Sequence, residues 1–150
     1  MAKIGIISDT HDILRPQVKE ILRTCDAIVH GGDFTKESIL EELRPMASIY
    51  AVQGNNDWYM ETKLRKVLRF EIEGVRFVLV HEKWNVPTDL TGVDVVIFGH
   101  THKYFEETID GRLWLNPGGC GRMRFGLGLT MAVLYAEKGR YYVQKVELNG

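Results

Sequence analysis

The sequence predicts an α/β protein in which two β-sheets pack together, helices lie outside them, and polar side chains line one edge. Three observations predict this fold. The first half of the chain alternates strand-sized apolar runs with helical periodicity, and the second half pairs apolar runs across tight turns. Metal-binding side chains directly follow five of these apolar runs. Because parallel strands point their carboxyl ends the same way, we expect those side chains to converge on one rim.

The first half predicts a β-α-β-α-β unit with parallel, right-handed connections. Apolar residues recur at helical spacing after the first strand, and Pro16 is tolerable in the first turn of that helix. Thr35 is the expected cap of a second helix, which ends before Pro45. The predicted elements are a strand at 4–7, a helix from about 15 to 24, a strand at 27–30, the capped helix, and a strand from about 47 to 52.

The second half predicts strands that are mostly joined by hairpins. Gly74 lies in a tight turn between two strands, and Asp110-Gly111 is the strongest short hairpin signal in the sequence. The run at 93–98 is continuously apolar, as expected of a strand buried on both faces. The predicted strands lie at 67–73, 76–81, 93–98, 104–109, 112–115, 130–136 and 140–148.

Bulk properties indicate one ordinary globular domain over residues 1–150. The chain is 45% hydrophobic with a formal net charge of -1, which argues against nucleic-acid binding through a broad basic surface. Its apolar runs are strand-sized, so no membrane span is expected. Met1-Ala2-Lys3 leads directly into a strand without a signal peptide, so we expect a cytoplasmic protein. Cys25 and Cys120 have neither zinc-type spacing nor a disulfide framework, and we expect both to be structural.

Seven side chains at the strand ends predict a metal centre. Two Asp, one Asn and four His are more than one ion needs and suit a two-metal hydrolytic site. The seven are Asp9, His11, Asp33, Asn55, His81, His100 and His102. The pairs at 9/11 and 100/102 are each two positions apart, so on extended backbone each pair would share a face. The two oxygens of Asp33 allow it to bridge two cations, and Asn55 offers a neutral amide oxygen.

Charge and ligand chemistry constrain the cofactor. Two divalent cations carry a surplus of positive charge over Asp9 and Asp33, which favours a bound hydroxide and an anionic substrate. Imidazole and carboxylate together suit manganese, iron, nickel, cobalt or zinc, and ligand type alone does not choose among them. We expect two divalent ions, with Mn²⁺ as the first candidate and Fe, Ni, Co or Zn as alternatives.

Each part of this centre has a structural alternative. An Asp-x-His segment at a strand end is more often a cap or surface turn, and His-x-His is commoner as a sheet-edge pair. A lone His81 would ordinarily be a satisfied buried imidazole. The conjunction of complementary residue types at five strand ends favours the metal site. We expect His30 to be a buried packing or supporting histidine, and Asp57 to cap the turn that follows it.

Two further groups of residues follow the predicted site loops. Trp58, Tyr59 and Trp84 could form an aromatic wall for an aryl or nucleoside leaving group, or a hydrophobic lid or oligomer contact. Arg122 and Arg124 follow a glycine-rich loop and could clamp phosphate, or lie on a solvated loop. Both pairs of alternatives stay open at the level of sequence.

Taken in order along the chain, the motifs resemble those of the calcineurin-like metallophosphoesterases, especially the small bacterial and archaeal phosphodiesterases. The resemblance covers almost the whole chain and rests on Asp9-Thr10-His11, Gly32-Asp33, Gly54-Asn55, His81, Gly99-His100-Thr101-His102 and Asn116-Pro117-Gly118. It implies a four-layer α/β/β/α sandwich of two mixed β-sheets flanked by helices, with a dinuclear site at the carboxyl ends of the strands. One metal would take Asp9, His11 and His102, the other would take Asn55, His81 and His100, and Asp33 would bridge both.

By the same resemblance the chain would be a metal-dependent phosphoesterase, most specifically a phosphodiesterase in which a metal-bridging hydroxide attacks phosphorus in line. Asn55, Asn56 and His81 would form the catalytic set. Asn56 and Arg122 would contact a small-molecule phosphoester. A homo-oligomer is compatible with this expectation and is left open.

Three departures from the family pattern bear on rate and substrate. Asn56 stands where the family usually has His, and an amide cannot protonate a leaving group as an imidazole can. Glu82-Lys83-Trp84-Asn85 follows His81 in place of Gly and a further His or helix, so we expect the usual helix to be shortened or absent. The loop after Asn116-Pro117 lacks the usual Ser.

Two rival functions are considered. A non-catalytic protein-interaction scaffold on the same fold, which the retromer subunit of this fold exemplifies, has no need of all seven ligands. A metal-dependent nuclease requires a basic groove, which the near-neutral charge does not indicate. Ligand completeness therefore favours the enzyme.

Overall fold

The computed structural model describes residues 1–123 and 126–149. Within these residues the chain forms ten β-strands, two α-helices and one turn of 3₁₀ helix. The helices are α1 (Pro16–Leu22) and α2 (Glu37–Leu43), and the 3₁₀ turn is Lys83–Asn85. The strands are β1 (Ala2–Ile7), β2 (Ala27–His30), β3 (Ser48–Ala51), β4 (Val67–Ile72), β5 (Val75–Val80), β6 (Val95–Ile97), β7 (Phe105–Ile109), β8 (Arg112–Asn116), β9 (Leu129–Glu137) and β10 (Arg140–Leu148).

The strands form two five-stranded mixed sheets, which confirms the predicted fold class. The first sheet has the order β10-β9-β1-β2-β3, in which β1, β2 and β3 are parallel and β9 pairs antiparallel with both of its neighbours. The second has the order β4-β5-β6-β8-β7, in which β5, β6 and β8 are parallel and both edge strands are antiparallel. Each sheet therefore presents the carboxyl ends of three parallel strands.

Three apolar clusters separate the layers of the molecule. The helices cover the outer face of the first sheet, where Leu22 is fully buried, and Phe77 lies in the cluster between the two sheets. On the outer face of the second sheet, Phe98 packs with Val86 and Leu90 from the segment that follows β5. Full burial of one such side chain contributes about 1.5–3 kcal/mol, so these clusters supply the main force that holds the layers together.

No α-helix lies outside the second sheet within residues 1–123 and 126–149. Residues 82–94 cover this face, and their regular structure is the 3₁₀ turn. The shortened helix expected after His81 is therefore confirmed. Among the residues that the structure describes, no helix is both long and apolar enough to cross a membrane.

Both helices differ from the prediction at one end. α1 ends earlier than predicted because its last turn tightens, with the Thr24 N–H donating to the Ile21 carbonyl at 3.1 Å. The prediction that Thr35 caps α2 is wrong. Lys36 precedes the helix without a side-chain cap, whereas Thr35 has a φ of 64° and donates its hydroxyl to Asp12.

Candidate metal centre

All seven predicted ligands lie where parallel strands of the two sheets end. The loops after β1, β2 and β3 contribute four of them from the first sheet, and the residues after β5 and β6 contribute three from the second. The loops that carry them are 8–12, 31–35, 53–57, 81–82 and 99–104. The sheet topology alone therefore brings segments from five parts of the chain to one edge.

Asp9 lies at the centre of one group of donor atoms. Its Oδ1 is 3.8 Å from His11 Nε2 and 3.6 Å from His102 Nε2. Its Oδ2 accepts hydrogen bonds from the Ser8 hydroxyl at 2.8 Å and the His100 N–H at 3.0 Å. The protein thus fixes one carboxylate oxygen and directs the other at two imidazoles.

Asp33 lies between two imidazoles from different sheets. Its Oδ2 is 3.4 Å from both His11 Nε2 and His81 Nε2. Asp9, Asp33 and His81 form a second group whose donor atoms lie within 4.8 Å of one another. Asn56 donates to Asp33 twice, through its N–H at 2.9 Å and its side-chain amide at 3.0 Å. This placement is the one that a bridging carboxylate requires.

His81 is oriented by hydrogen-bonding atoms at both ring nitrogens. Its Nδ1 lies 2.6 Å from the Gly31 carbonyl, which can only accept, so Nδ1 carries a proton and Nε2 faces the site. Nε2 is 2.9 Å from Asn55 Oδ1, and the His100 ring packs edge-on against His81 with centroids 5.2 Å apart. Asn55 and His100 therefore border the same imidazole.

The backbone at most of these residues is left-handed. Five of the seven predicted ligands have φ between 44° and 75°, namely Asp9, His11, Asp33, His100 and His102. The extended backbone predicted for the pairs at 9/11 and 100/102 is therefore wrong, although the side chains of Asp9 and His11 still meet. His102 stacks on His11 with centroids 5.0 Å apart, whereas His100 faces His81. Such conformations are uncommon for residues with a Cβ and cluster at functional sites.

Two glycines allow the β2 and β3 loops to meet at His81. Gly32 has a φ of 99°, and a Cβ there would lie 2.8 Å from His81 Nδ1. A Cβ at Gly54 would collide with the backbone of Asp33. Both positions therefore require glycine, one for its backbone conformation and both for space.

Asp57 connects two ligand loops, a role that the sequence did not reveal. Its Oδ2 accepts from the N–H groups of Asp33 at 2.8 Å and Gly54 at 2.9 Å, and its Oδ1 accepts from the N–H of Thr35 at 2.8 Å. The carboxylate is 2% exposed. The expectation that this side chain caps the following turn is therefore wrong, since the turn is closed by the Asp57 carbonyl accepting from the Met60 N–H.

His30 has the supporting place expected of it. Burial lowers the pKa of His30 to about 3, so the ring is neutral. Its Nδ1 accepts from the Gly32 N–H at 3.0 Å, so its Nε2 donates to the Thr10 hydroxyl at 3.1 Å. The ring stacks on Phe34 with centroids 3.6 Å apart. His30 thus holds the β1 and β2 loops together beneath the donor groups.

The electrostatics of the centre favour a positive charge between the carboxylates. Burial opposes charge on His81, but the adjacent Asp33 and Asp9 carboxylates raise the pKa of that imidazole. Burial would also raise the pKa of Asp33, but contacts with His81 and Asn56 lower it overall. A cation bound at this position would meet the same favourable field.

The donor set fits divalent cations. Asp9 Oδ1 and His11 Nε2 are buried without a hydrogen-bond partner. Leaving a buried polar atom unsatisfied costs about 1–3 kcal/mol, so such atoms require an explanation. A cation between them would satisfy both, and carboxylate with imidazole is a ligand set used for first-row divalent metals.

The predicted substrate contacts, Asn56 and Arg122, lie beside different loops of this centre. Asn56 is exposed and bonded to Asp33 as described. Arg122 lies beside the first loop, where its Nε donates to the His11 carbonyl at 3.3 Å and its Nη2 pairs with Asp12 at 3.2 Å. Arg124 lies outside the described residues.

The three candidate aromatic residues are divided between two places. Trp84 packs edge-on against His100, with ring centroids 5.4 Å apart. Trp58 packs against Tyr59, whose hydroxyl donates to the Thr35 carbonyl ahead of α2. Trp84 therefore reaches a predicted ligand through a ring contact.

Cys120 is fully buried, and burial raises the pKa of its thiol to about 12, in agreement with a structural role.

The arrangement defines a class: a two-sheet α/β protein with clustered metal-binding side chains where the parallel strands of both sheets end. Residues 2–139 match the model of the calcineurin-like phosphoesterase superfamily domain, so the chain belongs to that superfamily. The resemblance carried by the sequence motifs is thereby confirmed.

Similar proteins agree with this classification. Phosphodiesterase MJ0936 from Methanocaldococcus jannaschii is 31% identical over an alignment 161 positions long, and the alignment covers 93% of this chain and 96% of that protein. The solved structure of an archaeal phosphodiesterase is 29% identical, with a TM-score of 0.79 and coverage of 97% and 99%. Vacuolar protein sorting 29 from Cryptosporidium parvum is 17% identical with a TM-score of 0.79 and coverage of 99% and 98%, which shows a shared fold alone.

Proposed function

We propose that this protein is a dinuclear metal-dependent phosphodiesterase. The observation that carries the proposal is the position of Asp33, whose Oδ2 lies 3.4 Å from an imidazole nitrogen of each donor group. The unsatisfied Asp9 Oδ1 beside it supports the same assignment. The similarity to an archaeal phosphodiesterase over nearly the whole chain supports diesters as the substrate class.

The proposal assigns each metal its own ligands. The first ligand set is Asp9, His11 and His102, the second ligand set is Asn55, His81 and His100, and Asp33 bridges the two. Mn²⁺ is the first candidate and Fe, Ni, Co and Zn are the alternatives, since carboxylate, amide and imidazole ligands together are compatible with each of them. When bound, the ions supply a hydroxide nucleophile at neutral pH and positive charge for the phosphate.

The protein's own residues bind and orient the ester. Asn56 has two amide N–H donors, one of which is used on Asp33, so the other can donate to a phosphate oxygen. Arg122 can pair with a phosphate oxygen only in competition with Asp12, which holds its Nη2. Gly31 keeps His81 in one tautomer, and Ser8 keeps Asp9 in one orientation. These contacts hold the ligand geometry before substrate binds.

Metal analysis and hydrolysis assays on the same preparation test the proposal. Protein purified without chelator should contain two divalent ions per chain and hydrolyse bis(p-nitrophenyl) phosphate. Chelation should abolish hydrolysis while far-ultraviolet circular dichroism changes little, because the apolar clusters hold the fold without metal. Adding Mn²⁺ back should restore activity.

Two results would contradict the proposal. Global unfolding on chelation would indicate structural metals, and a fully loaded protein that hydrolyses no phosphoester would favour the scaffold function. Asp110→Asn is the matched control, since it removes an exposed carboxylate with a φ of 51° from the β7–β8 turn, which contributes none of the proposed ligands. This variant should keep both metals and full activity.

A further inference from the structure

We infer that Trp84 forms one wall of the substrate site and that the phosphoester carries a planar aromatic group, such as an aryl ring or a nucleobase, which packs on it. The inference rests on the proposed function and specifies its substrate class. It is carried by the position, the exposure and the anchoring of this one side chain.

Trp84 lies at the end of a short series of ring contacts that begins in the centre. The His81 and His100 rings meet edge-on at an interplanar angle of 83°, and the His100 and Trp84 rings do so at 81°. The indole is nevertheless 70% exposed. A ring of this size is normally buried because it carries a large apolar area, so its exposed face beside a ligand offers a stacking surface.

The indole projects from a 3₁₀ turn that is anchored before any ligand arrives. The 3₁₀ turn that carries it is closed by the Asn85 N–H donating to the Glu82 carbonyl at 2.9 Å. The Lys83 ammonium lies over three aromatic rings at 5.4 to 5.7 Å, an aromatic cage formed by Phe98, Phe105 and Trp114. Cation–π contacts of this kind anchor the turn to the outer face of the second sheet. A pre-positioned side chain loses little conformational freedom on binding, which favours affinity.

Trp58 provides a comparison for the surroundings of Trp84. It is also 70% exposed, but its ring contact is with Tyr59, which is bonded to Thr35 ahead of α2. Two equally exposed tryptophans therefore differ in whether a predicted ligand lies against the ring. Trp58 is accordingly the matched control for Trp84.

Calorimetric binding of phenyl phosphate and methyl phosphate to the Mn²⁺-loaded protein tests the inference. Both ligands present a phosphate, and only one presents an aromatic ring. Trp84→Ala should weaken the binding of phenyl phosphate by about five- to 150-fold, the effect of losing one aromatic stacking contact, and leave the binding of methyl phosphate unchanged. Trp84→Phe should retain most of the affinity for phenyl phosphate, and Trp58→Ala should change neither ligand.

The outcomes separate this inference from the function on which it rests. If Trp84→Ala weakened the binding of both phosphates equally, or of neither, the proposed aromatic wall would be wrong. The phosphodiesterase activity would be unaffected by that result, because the hydrolysis assays test it separately. A shift of Trp84→Ala from oligomer to monomer on gel filtration, with unchanged phenyl phosphate affinity, would assign the indole to a subunit contact instead. If Trp84→Ala selectively lost affinity for phenyl phosphate but the wild-type protein hydrolysed no ester, the aromatic wall would be supported and the proposed phosphodiesterase activity would be wrong.

Discussion

The two proposed ligand sets are positioned in different ways, the first by its backbone and the second by side-chain contacts. Every residue of the first set has a positive φ, at 55°, 44° and 62° in chain order. Within the second set His100 has a positive φ, whereas the orientation of His81 comes from the Gly31 carbonyl and Asn55. The two sets also differ in exposure, since His11 is buried and Asn55 is exposed.

This difference predicts unequal metal affinities. Backbone conformations fixed by neighbouring loops are hard to change without disturbing the fold, so the first set is rigid. The second set includes a neutral amide on an exposed loop and the half-buried His100 imidazole, which packs edge-on against the exposed Trp84 ring. We therefore expect the first site to hold its ion more tightly than the second.

The largest effect is expected from changing Asp33, the residue that the two proposed ligand sets share. Asp33→Asn keeps the shape of the side chain but removes the charge from the position between His11 and His81. We expect both sites to lose metal and turnover to cease, measured by metal analysis and by hydrolysis of an aryl phosphodiester. Retention of two ions per chain with near-normal activity would show that Asp33 does not bridge.

The exposed side of the centre can be given a proton donor. Asn56 donates to Asp33 but cannot protonate a departing alkoxide. Esters with good leaving groups should therefore be preferred, and Asn56→His should accelerate alkyl esters by up to about 10²–10⁴-fold, the range of positioned general acids. Rates for aryl and alkyl diesters should be compared in both proteins. An equal change for the two classes would exclude a missing general acid as the limit on rate.

Removing one ligand from each set tests the predicted difference in metal affinity between the two sites. Chelator titration of the wild type should remove the ions in two steps. His100→Ala should eliminate the weaker step and His11→Ala the stronger one, each lowering the affinity of its own site by at least about 100-fold, the upper end of the effect of losing a supporting contact. Metal retained per chain at each chelator concentration is the measurement. A single step in the wild type would contradict the difference between the sets.

The comparison also shows which parts of the centre were predictable. The clustering of the predicted ligands could be anticipated because each of their segments follows an apolar run, and a strand end is a local property of sequence. Their backbone conformation could not be predicted, because it depends on hydrogen bonds to another loop. The N–H groups of Asp9 and His11 donate to the carbonyls of Gly32 and Asp33, in the loop that follows β2. The alternation rule assumes extended backbone and has no access to those bonds.

The fold was predictable for a similar reason, and one supporting residue was missed. Strand runs and the Asp110-Gly111 turn are local signals, so both sheets could be anticipated. The loss of the helix after His81 could be anticipated as well.

The role of Asp57 was missed because two of its three hydrogen bonds come from Asp33 and Thr35, more than 20 positions away. The third, from Gly54 at 2.9 Å, is local and was the available signal.

Asp57 provides the mildest test, because it supports the bridging ligand and an exposed loop of the second set without facing a metal. In Asp57→Asn the isosteric amide would direct an N–H group at one of the backbone N–H donors that the carboxylate now accepts. We expect metal affinity to fall by about 10–100-fold, the usual effect of losing such a contact, with a thermal midpoint lowered by the loss of a charged hydrogen bond worth about 1.5–3 kcal/mol. Asp26→Asn is the control, since Asp26 also accepts a backbone N–H, from Lys3 at 2.8 Å, at an exposed position away from the centre. If both variants lost stability equally while Asp57→Asn kept wild-type metal affinity, Asp57 would stabilise the loop without positioning its ligands.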